Sequence, residues 1–430
     1  MSKYYITDFN VKKLWGYKNY PLKFSKDVNV IIGPNASGKT TLINILYDTL
    51  SANFSRLSRT EFSEVTIGLK TFDGNETKTV SVTQTPEDLK IAVGNLNFKV
   101  PLLPFQHFSN VNDPDDVPPE IMMQRKFRMD LRGIREQLCG LVPAVWLPVS
   151  RRLPIANEEE MARRSLHRRP LESVDECLSG LIDELQKYRL SLNSELSELR
   201  KEFQRHALEN ILFDKEHDRS LRNRASLIPP SDGDKQQLLK AFRDVGLVDA
   251  RMEIRINEHF SAAKEAVAKL NADPSKIDFG AFMIMPLIAR TRSIVTFAQE
   301  LETKRGKLFA SLHEFESIVN SFLNEKEVSV SDRGEIVITP NREQRGPIEW
   351  RHLSSGEKQI LILLTQALLS GRSPIVYVAD EPELSLHVTW QEKLLGSLTK
   401  LAGRCQFIVA THSPDIAAGF GSKIIDLARF

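Results

Sequence analysis

The sequence predicts an α/β fold interrupted by a large helical insertion, and three observations carry that prediction. A short β-branched run, Val28-Asn29-Val30-Ile31-Ile32, leads directly into a loop of small residues and then into an apolar-faced helix. Far downstream, Ile375-Val376-Tyr377-Val378-Ala379 has the pattern of a second, buried strand, and it ends on two acids, Asp380 and Glu381. Between them, over residues 110–324, apolar positions recur at helical spacing and strand signals nearly vanish.

Taken in chain order, residues 6–11 and 28–32 read as strands, and Thr41-Leu42-Ile43-Asn44-Ile45-Leu46 continues the second of them as a helix. Residues 65–69 and 80–82 alternate around Asp73-Gly74-Asn75, the pattern of a hairpin. Asn110-Val111-Asn112-Asp113-Pro114 begins a loop, after which Leu178, Leu181, Leu185, Tyr188, Leu192, Leu196, Leu199 and Phe203 recur at three- and four-residue steps along one long helix. A breaker at 227–233 precedes a second helix, expected between Lys235 and Leu270, and a third carries Ile294, Phe297, Leu301, Leu308, Leu312, Phe315, Val319 and Phe322 on one face. The stripes fit a coiled-coil-like antiparallel arm and a helical subdomain with its own core equally well, the repeat being an imperfect heptad. Val328-Ser329-Val330 and Ile336-Val337-Ile338 flank Asp332-Arg333-Gly334 as a second hairpin. The expected organisation is therefore one half of the α/β domain over 1–109, a mainly helical insertion or arm over 110–325, and the other half over 326–430.

Composition sets the bounds. With 430 residues, 41% hydrophobic and 27% charged, the chain has room for two or three domains with sizeable cores. The net charge is only +2, so attraction to nucleic acid or membrane must come from a local patch. Cys139, Cys177 and Cys405 show neither metal-ligand nor redox spacing, which fits a reducing compartment. No apolar run reaches the roughly 18 residues of a membrane span, and the N-terminus offers no apolar signal core. The expectation is a soluble, cytoplasmic protein without a membrane partner.

The loop Gly33-Pro34-Asn35-Ala36-Ser37-Gly38-Lys39-Thr40 has the composition of a phosphate loop. Small residues let successive backbone N–H groups wrap a phosphate, Lys39 reaches the β/γ oxygens, Thr40 ligates Mg²⁺, and the helix that starts with Thr41 turns its N-terminus to the anion. At the second strand's end, Asp380 suits the Mg²⁺ shell, and Glu381 suits orienting or deprotonating an attacking water, the Walker B pattern. Leu353-Ser354-Ser355-Gly356-Glu357 opens another apolar helix; alone it reads as a helix cap. Pro382-Glu383-Leu384-Ser385-Leu386-His387 follows Glu381, and the strand at 406–410 delivers Thr411-His412-Ser413-Pro414.

In combination these motifs resemble the ATP-binding cassette (ABC-type) ATPases, in the branch that holds the SMC, RecF and OLD (overcoming lysogenization defect) proteins. The resemblance covers residues 1–70 and 350–430. It implies a P-loop NTPase with an ABC-type head built on a mixed, largely parallel sheet, and ATP with Mg²⁺ as ligands. It implies Lys39, Glu381 and His412 as catalytic residues, His412 being the switch histidine that contacts the γ-phosphate. It makes Ser354, Ser355, Gly356 and Glu357 the signature, contributed in trans to the site of a second copy. The family's coupling glutamine has two candidates, Gln84 and Gln106, of which Gln106 lies nearer the helical segment.

The implied working unit is a homodimer or a higher even oligomer, with ATP at its interfaces. Full-length OLD proteins continue into a TOPRIM nuclease, whereas here only residues 414–430 follow the switch motif, so an ATPase without its own nuclease is expected. Stand-alone ATPases of this build, such as PtuA of Septu systems and AriA of PARIS systems, work in anti-phage defence beside a separate effector, a nuclease or toxin. The alternative is a RecF- or SMC-like ATPase of DNA repair or chromosome maintenance. A transporter motor is disfavoured by the length between Lys39 and Ser354 and by His387, where transporter cassettes carry Asp. The basic run Arg125, Lys126, Arg128, Arg132, Arg135, Arg151, Arg152, Arg163, Arg164, Arg168 and Arg169 fits DNA, a phage or partner protein, the nucleotide, or a solvated face.

Overall fold

The computed structural model describes residues 4–94, 96–101, 133–147, 173–210, 212, 230–244, 248–272, 279–341, 346–371 and 374–430. Thirteen strands are described: β1 Tyr4–Leu14, β2 Lys18–Lys23, β3 Val28–Ile32, β4 Glu64–Thr71, β5 Thr77–Gln84, β6 Asp88–Val93, β7 Leu96–Pro101, β8 Ala144–Trp146, β9 Lys326–Val330, β10 Ile336–Pro340, β11 Ile375–Asp380, β12 Cys405–Ala410 and β13 Ile424–Asp426. The helices are α1 Lys39–Leu50, α2 Phe54–Leu57, α3 over 133–141, α4 Ser173–Glu209, α5 Asp232–Asp244, α6 Ala250–Ala272, α7 Phe279–Phe322, α8 Ser355–Ser370, α9 Val388–Ala402 and α10 Pro414–Ala418. Short 3₁₀ turns lie at Trp350–His352, Gly421–Lys423 and Leu427–Arg429.

The chain divides into two units. One comprises residues 1–185, 314–331 and 335–430, the other 186–313 and 332–334. The first unit holds an antiparallel sheet in the order β2-β1-β4-β5-β6-β7 and a parallel one in the order β13-β3-β12-β11-β8. All four pairings of the second sheet are parallel, so every strand presents its C-terminal end to the same edge. Its central strands read as continuous apolar runs because both faces are covered, as the burial of all six residues of β12 shows.

Helix α1 forms where the left-handed Gly38 ends the loop, and it turns Leu42, Ile43, Ile45 and Leu46 into one core with Phe9, Val65 and Ile67 of the antiparallel sheet and Ile31, Val378 and Ile408 of the parallel one. A side chain of the parallel sheet bonds the backbone of the antiparallel one. Gln406 on β12 is fully buried; its Oε1 accepts from Ile6 N–H at 2.8 Å, and its Nε2 donates to the carbonyls of Ile6 and Ser25, each at 2.7 Å. Ile6 sits at the register shift of β1 against β4, where the ladder leaves backbone groups unpaired.

The second unit packs a core of its own. Phe203 of α4, Ala241 of α5 and Ala298 and Leu301 of α7 form one cluster, and Leu238, Ile256, Phe260 and Val295 bring α6 into the next. The stripes read from the sequence on the first and third helices are thus buried faces. Residues 178–185 and 315–322 of the same stripes lie within the first unit.

Two expectations are corrected. The helix placed between residues 235 and 270 is two helices, α5 and α6. The intervening stretch contains Gly246, and Asp249 Oδ1 accepts from Met252 N–H at 2.6 Å, starting α6 afresh. Strand β8, within the stretch read as nearly free of strands, pairs in parallel with β11 through Ala144, Val145 and Trp146. Three residues are too few to show a two-residue alternation. The β6–β7 hairpin, turning at the left-handed Gly94, is a further pair that the alternation did not single out.

Replacing Gln406 by leucine keeps the volume but strands the buried N–H and carbonyl of Ile6, each costing roughly 1–3 kcal/mol, while Ser25 O keeps Asn29 Nδ2 as a donor. Gln406→Leu is expected to lower unfolding free energy by about 2–5 kcal/mol in denaturant titrations.

Candidate functional site

Three consecutive parallel strands deliver the motif residues to one edge. Strand β3 ends in the loop 33–38, β12 ends before Thr411-His412, and β11 ends on Asp380. The register sets Ile31 opposite Ala410, and Ala410 opposite Asp380. This is the edge at which open α/β sheets bind ligands.

In the loop, Pro34, Asn35 and Ala36 are exposed, while Ser37, Gly38 and Lys39 are buried. Ala36 and Gly38 both have left-handed backbones, φ 62 and 92. A Cβ on Gly38 would lie 2.9 Å from the Trp15 ring, so glycine is required there on two counts. Tyr20 steadies the same turn by donating its hydroxyl to Ser37 O at 2.8 Å. Trp15 and Tyr20 belong to the β1–β2 hairpin, and sequence reading assigned neither a place at the site. The first-turn N–H groups of α1, from Lys39, Thr40 and Thr41, have no acceptor within the helix and face the loop's concavity.

Lys39 is 4% exposed and donates from Nζ to the carbonyls of Gly33, at 2.8 Å, and Pro34, at 3.1 Å. Burial lowers its pKa, and the opposing fields of Glu381 and Asp380 raise it. That electrostatic link brings Lys39, Asp380 and Glu381 into one site. Glu381 has a left-handed backbone, φ 51, rare for a side chain of this size. Its N–H donates to Ala410 O at 2.7 Å, which ties the end of β11 to β12. His412 Nε2 stands 3.7 Å from Glu381 Oε1, and both side chains remain partly open, at 41% and 33%.

The residues present fit a magnesium nucleotide. The Ser37 hydroxyl is buried in the loop with no hydrogen-bond partner among the described residues, an orphan at the concave face. Among the described residues no three His, Cys, Asp or Glu side chains converge into a metal cage. One hydroxyl and one carboxylate, here Thr40 and Asp380, suit Mg²⁺ completed by phosphate and water oxygens.

The signature residues are engaged within their own chain. Ser354 caps α8 and Glu357 completes a capping box, accepting from Ser354 N–H at 2.8 Å. Glu357 also accepts from Lys326 Nζ at 2.7 and 2.9 Å. Gly356 is buried, and a Cβ there would lie 2.8 Å from Ser385 O, so α8 starts in close contact with the turn that follows Glu381. Ser355 is the first residue of the helix. Among the described residues, 354–357 make no hydrogen bond to 33–41.

His387 caps α9, its Nδ1 accepting from Thr389 N–H at 3.4 Å. Gln84 Oε1 accepts from Phe62 N–H at 3.0 Å within the antiparallel sheet. Gln106 lies outside the described residues, as does the basic run except Arg135, which is exposed on α3. One carboxylate of the motif run after Glu381, given no role of its own by the sequence, is Glu383. It is buried and holds the turn of His412, and its only signal was a second acid two residues after Glu381.

A family model for the AAA ATPase domain matches residues 5–417. The retron Ec83 probable ATPase of Escherichia coli is 36% identical over 88 residues, 18% of this chain and 16% of that protein, so the match spans far less than two thirds of the relative. Among solved structures, the Smc head domain with an extended coiled coil from Pyrococcus furiosus, bound to the C-terminal domain of ScpA, aligns over 98% of this chain and 93% of its own at 16% identity and a TM-score of 0.42. The Smc head bound to the C-winged helix domain of ScpA aligns over the same shares at 13% identity and a TM-score of 0.43.

In the last turn of α1, Asp48 is buried with Oδ2 3.5 Å from Arg56 Nε. Burial, opposed by Arg56, pushes its pKa up to about 6 from an ordinary 3.8. Between about pH 4 and 6 the folded chain thus binds more protons at this site than the unfolded one, and stability falls as pH rises through that window, by at most about 3 kcal/mol. Asp48→Asn is expected to flatten this slope and to exceed wild-type stability at pH 8, as measured by denaturation at pH 4.5 and 8.

Proposed function

The chain belongs to the AAA ATPase domain family, and from that premise we propose that it binds and hydrolyses ATP with Mg²⁺ in a composite site completed by a second copy. The observation that carries the reading is the convergence of Lys39, Asp380, Glu381 and His412 at one edge of the parallel sheet. In this reading the N–H groups of residues 33–41 cradle the phosphates. Lys39 exchanges its two loop carbonyls for β/γ oxygens, gaining a charge-assisted partner for two neutral ones. Thr40 and Asp380 would hold Mg²⁺, which would supply charge neutralisation at the phosphates. Glu381 orients the attacking water and receives its proton, and His412 reaches toward the γ-phosphate from beside it.

The signature residues Ser354, Ser355 and Gly356 act in trans. The exposed start of α8 offers N–H groups and a helix dipole that the chain's own loop does not use. Glu357, committed to Lys326 and to the cap, keeps that helix start rigid rather than touching nucleotide. The nucleotide then lies between copies, and ATP works as an association signal in a homodimer or higher even oligomer. The organisation supporting this is a first unit over 1–185, 314–331 and 335–430 that holds every motif residue, and a helical second unit over 186–313. Likeness to a retron ATPase supports a place in antiviral defence, with ATP-dependent association controlling a separate nuclease or toxin.

Two substitutions separate the roles. Lys39→Ala is expected to weaken ATP binding by about 100-fold, from the loss of a charge-assisted contact of about 3 kcal/mol. Glu381→Gln is expected to keep ATP affinity while turnover falls by about 10² to 10³, the share of general-base help. With ATP and Mg²⁺ the Glu381→Gln protein should accumulate as a dimer in mass measurements, and the Lys39→Ala protein should not. Normal turnover in either variant, or a Glu381→Gln protein that stays monomeric at every concentration, would refute the composite site.

A further inference from the structure

Glu381 and His412 lie on turns that follow different strands, and among the described residues no direct hydrogen bond between their backbones fixes the 3.7 Å separation of their side chains. What joins the turns is a buried carboxylate two residues beyond Glu381. Glu383 is 8% exposed. Its Oε1 accepts three donors from the other turn: the Thr411 hydroxyl, His412 N–H at 3.1 Å and Ser413 N–H at 3.3 Å. Ser413 N–H also reaches Thr411 Oγ1 at 2.9 Å. Beside it, Gln391 of α9 donates to Leu386 O at 2.9 Å and accepts from Ser413 Oγ at 2.6 Å, a second bridge between the same turns.

The geometry points to Glu383 as the positioning residue that sets His412 and Glu381 in register for the reaction. This rests on the ATPase reading above and adds to it a residue that touches neither nucleotide nor metal. Three physical facts support it. Three donors of the His412 turn converge on one buried carboxyl oxygen, and each bond lowers the pKa that burial raises, so they favour the ionised acceptor whose hydrogen bonds are the stronger kind. The other oxygen, Oε2, is buried with no hydrogen-bond partner among the described residues, a cost of about 1–3 kcal/mol that a purely structural filler would not carry. Glu381 is held in a left-handed conformation, and the same short turn, closed by Leu384 N–H to Glu381 O at 3.1 Å and Leu386 N–H to Glu383 O at 2.9 Å, anchors it. Losing the carboxylate at 383 frees the turn of His412 from the turn that carries Glu381, so the two side chains lose their common reference.

The test compares Glu383→Ala, Glu383→Gln and Thr411→Val in the full chain. Glutamine keeps an acceptor oxygen for all three donors, alanine keeps none, and valine at 411 removes one donor and leaves two. The expected result is a kcat loss of about 100-fold in Glu383→Ala, with KM for ATP within about 3-fold and a cooperative melting transition retained. Glu383→Gln should recover to within about 10-fold of wild type, and Thr411→Val should fall between. The His412 imidazole, assigned by comparison with His412→Asn, is titrated by NMR in each protein. Its titration should shift or broaden in Glu383→Ala and return toward wild type in Glu383→Gln.

Wild-type kcat in a folded Glu383→Ala, or equal losses in Ala and Gln, would overturn the assignment. So would a loss shared equally between kcat and KM, the mark of a merely structural role. If Glu383→Ala fails to fold, the Gln and Val variants decide: wild-type kcat and His412 titration in Thr411→Val together with full loss in Gln would overturn it. If the wild-type protein turns over no ATP, the ATPase reading fails by itself, and the His412 titration alone then decides whether Glu383 sets that side chain.

Discussion

The arrangement depends on the parallel pairing of β12 between β3 and β11. With Ile31 opposite Ala410 and Ala410 opposite Asp380, three chain segments far apart in sequence end at the same level. The register leaves little freedom, because these strands are buried on both faces and a slip of one residue exchanges the two sets of apolar side chains. The loop after β3, the acids after β11 and the histidine after β12 meet as a consequence. Gln406 serves the same strand from its other end, binding Ile6 and Ser25 so that the antiparallel sheet keeps its place against the parallel one. A buried amide that satisfies three backbone groups specifies geometry more sharply than an apolar side chain of equal volume.

Strain and charge are concentrated where those strands end. Glu381 and Ala36 occupy the left-handed region without being glycine, and Lys39 is buried on carbonyl oxygens that are weaker partners than phosphate. Each of these is unfavourable by itself and is held by stronger neighbours: the Tyr20 hydroxyl on Ser37 O, the Glu381 N–H on Ala410 O, and Glu383 on the turn of His412. The pattern is that of a site organised before its ligand arrives, in which little reorganisation remains when phosphate replaces the loop carbonyls.

Much of this was legible in the sequence because the motifs are local. Residues 33–40 need only their own order to form a phosphate loop behind a strand, and 375–381 likewise carry strand and acids in one run. The helical stripes were legible for the same reason, as a period repeated many times over. What escaped reading depends on long-range partners. Strand β8 is three residues long and is a strand only because β11 lies beside it. Gln406 reads as one polar residue in an apolar run until Ile6, 400 residues away, supplies its partners. Glu383 stands in the run after Glu381 with no role of its own until Thr411, His412 and Ser413 supply its donors. The division between α5 and α6 escaped reading because the sequence between Asp244 and Ala250 carries a single glycine and no proline.

The signature helix shows how a long insertion is accommodated without disturbing the site. Lys326, just past the end of α7, pairs with Glu357 at 2.7 Å, and Asp175, near the start of α4, pairs with Lys358 at 2.8 Å. Adjacent residues of the first turn of α8 thus grip the chain at both of its passages between head and insertion. The Asp175 and Lys358 side chains are only 16% and 12% exposed, and those of Lys326 and Glu357 24% and 14%. Pairs this sheltered are screened little by salt, and removing one partner leaves the other charge poorly solvated, so they constrain position more than they add stability. The cap at Ser354 and the contact of Gly356 with Ser385 O complete the connection, since that turn is the one that carries Glu381 and Glu383. The first turn of α8 is thus tied to Asp175 and Lys326 and lies against the turn that carries Glu381 and Glu383, all within one unit of the chain.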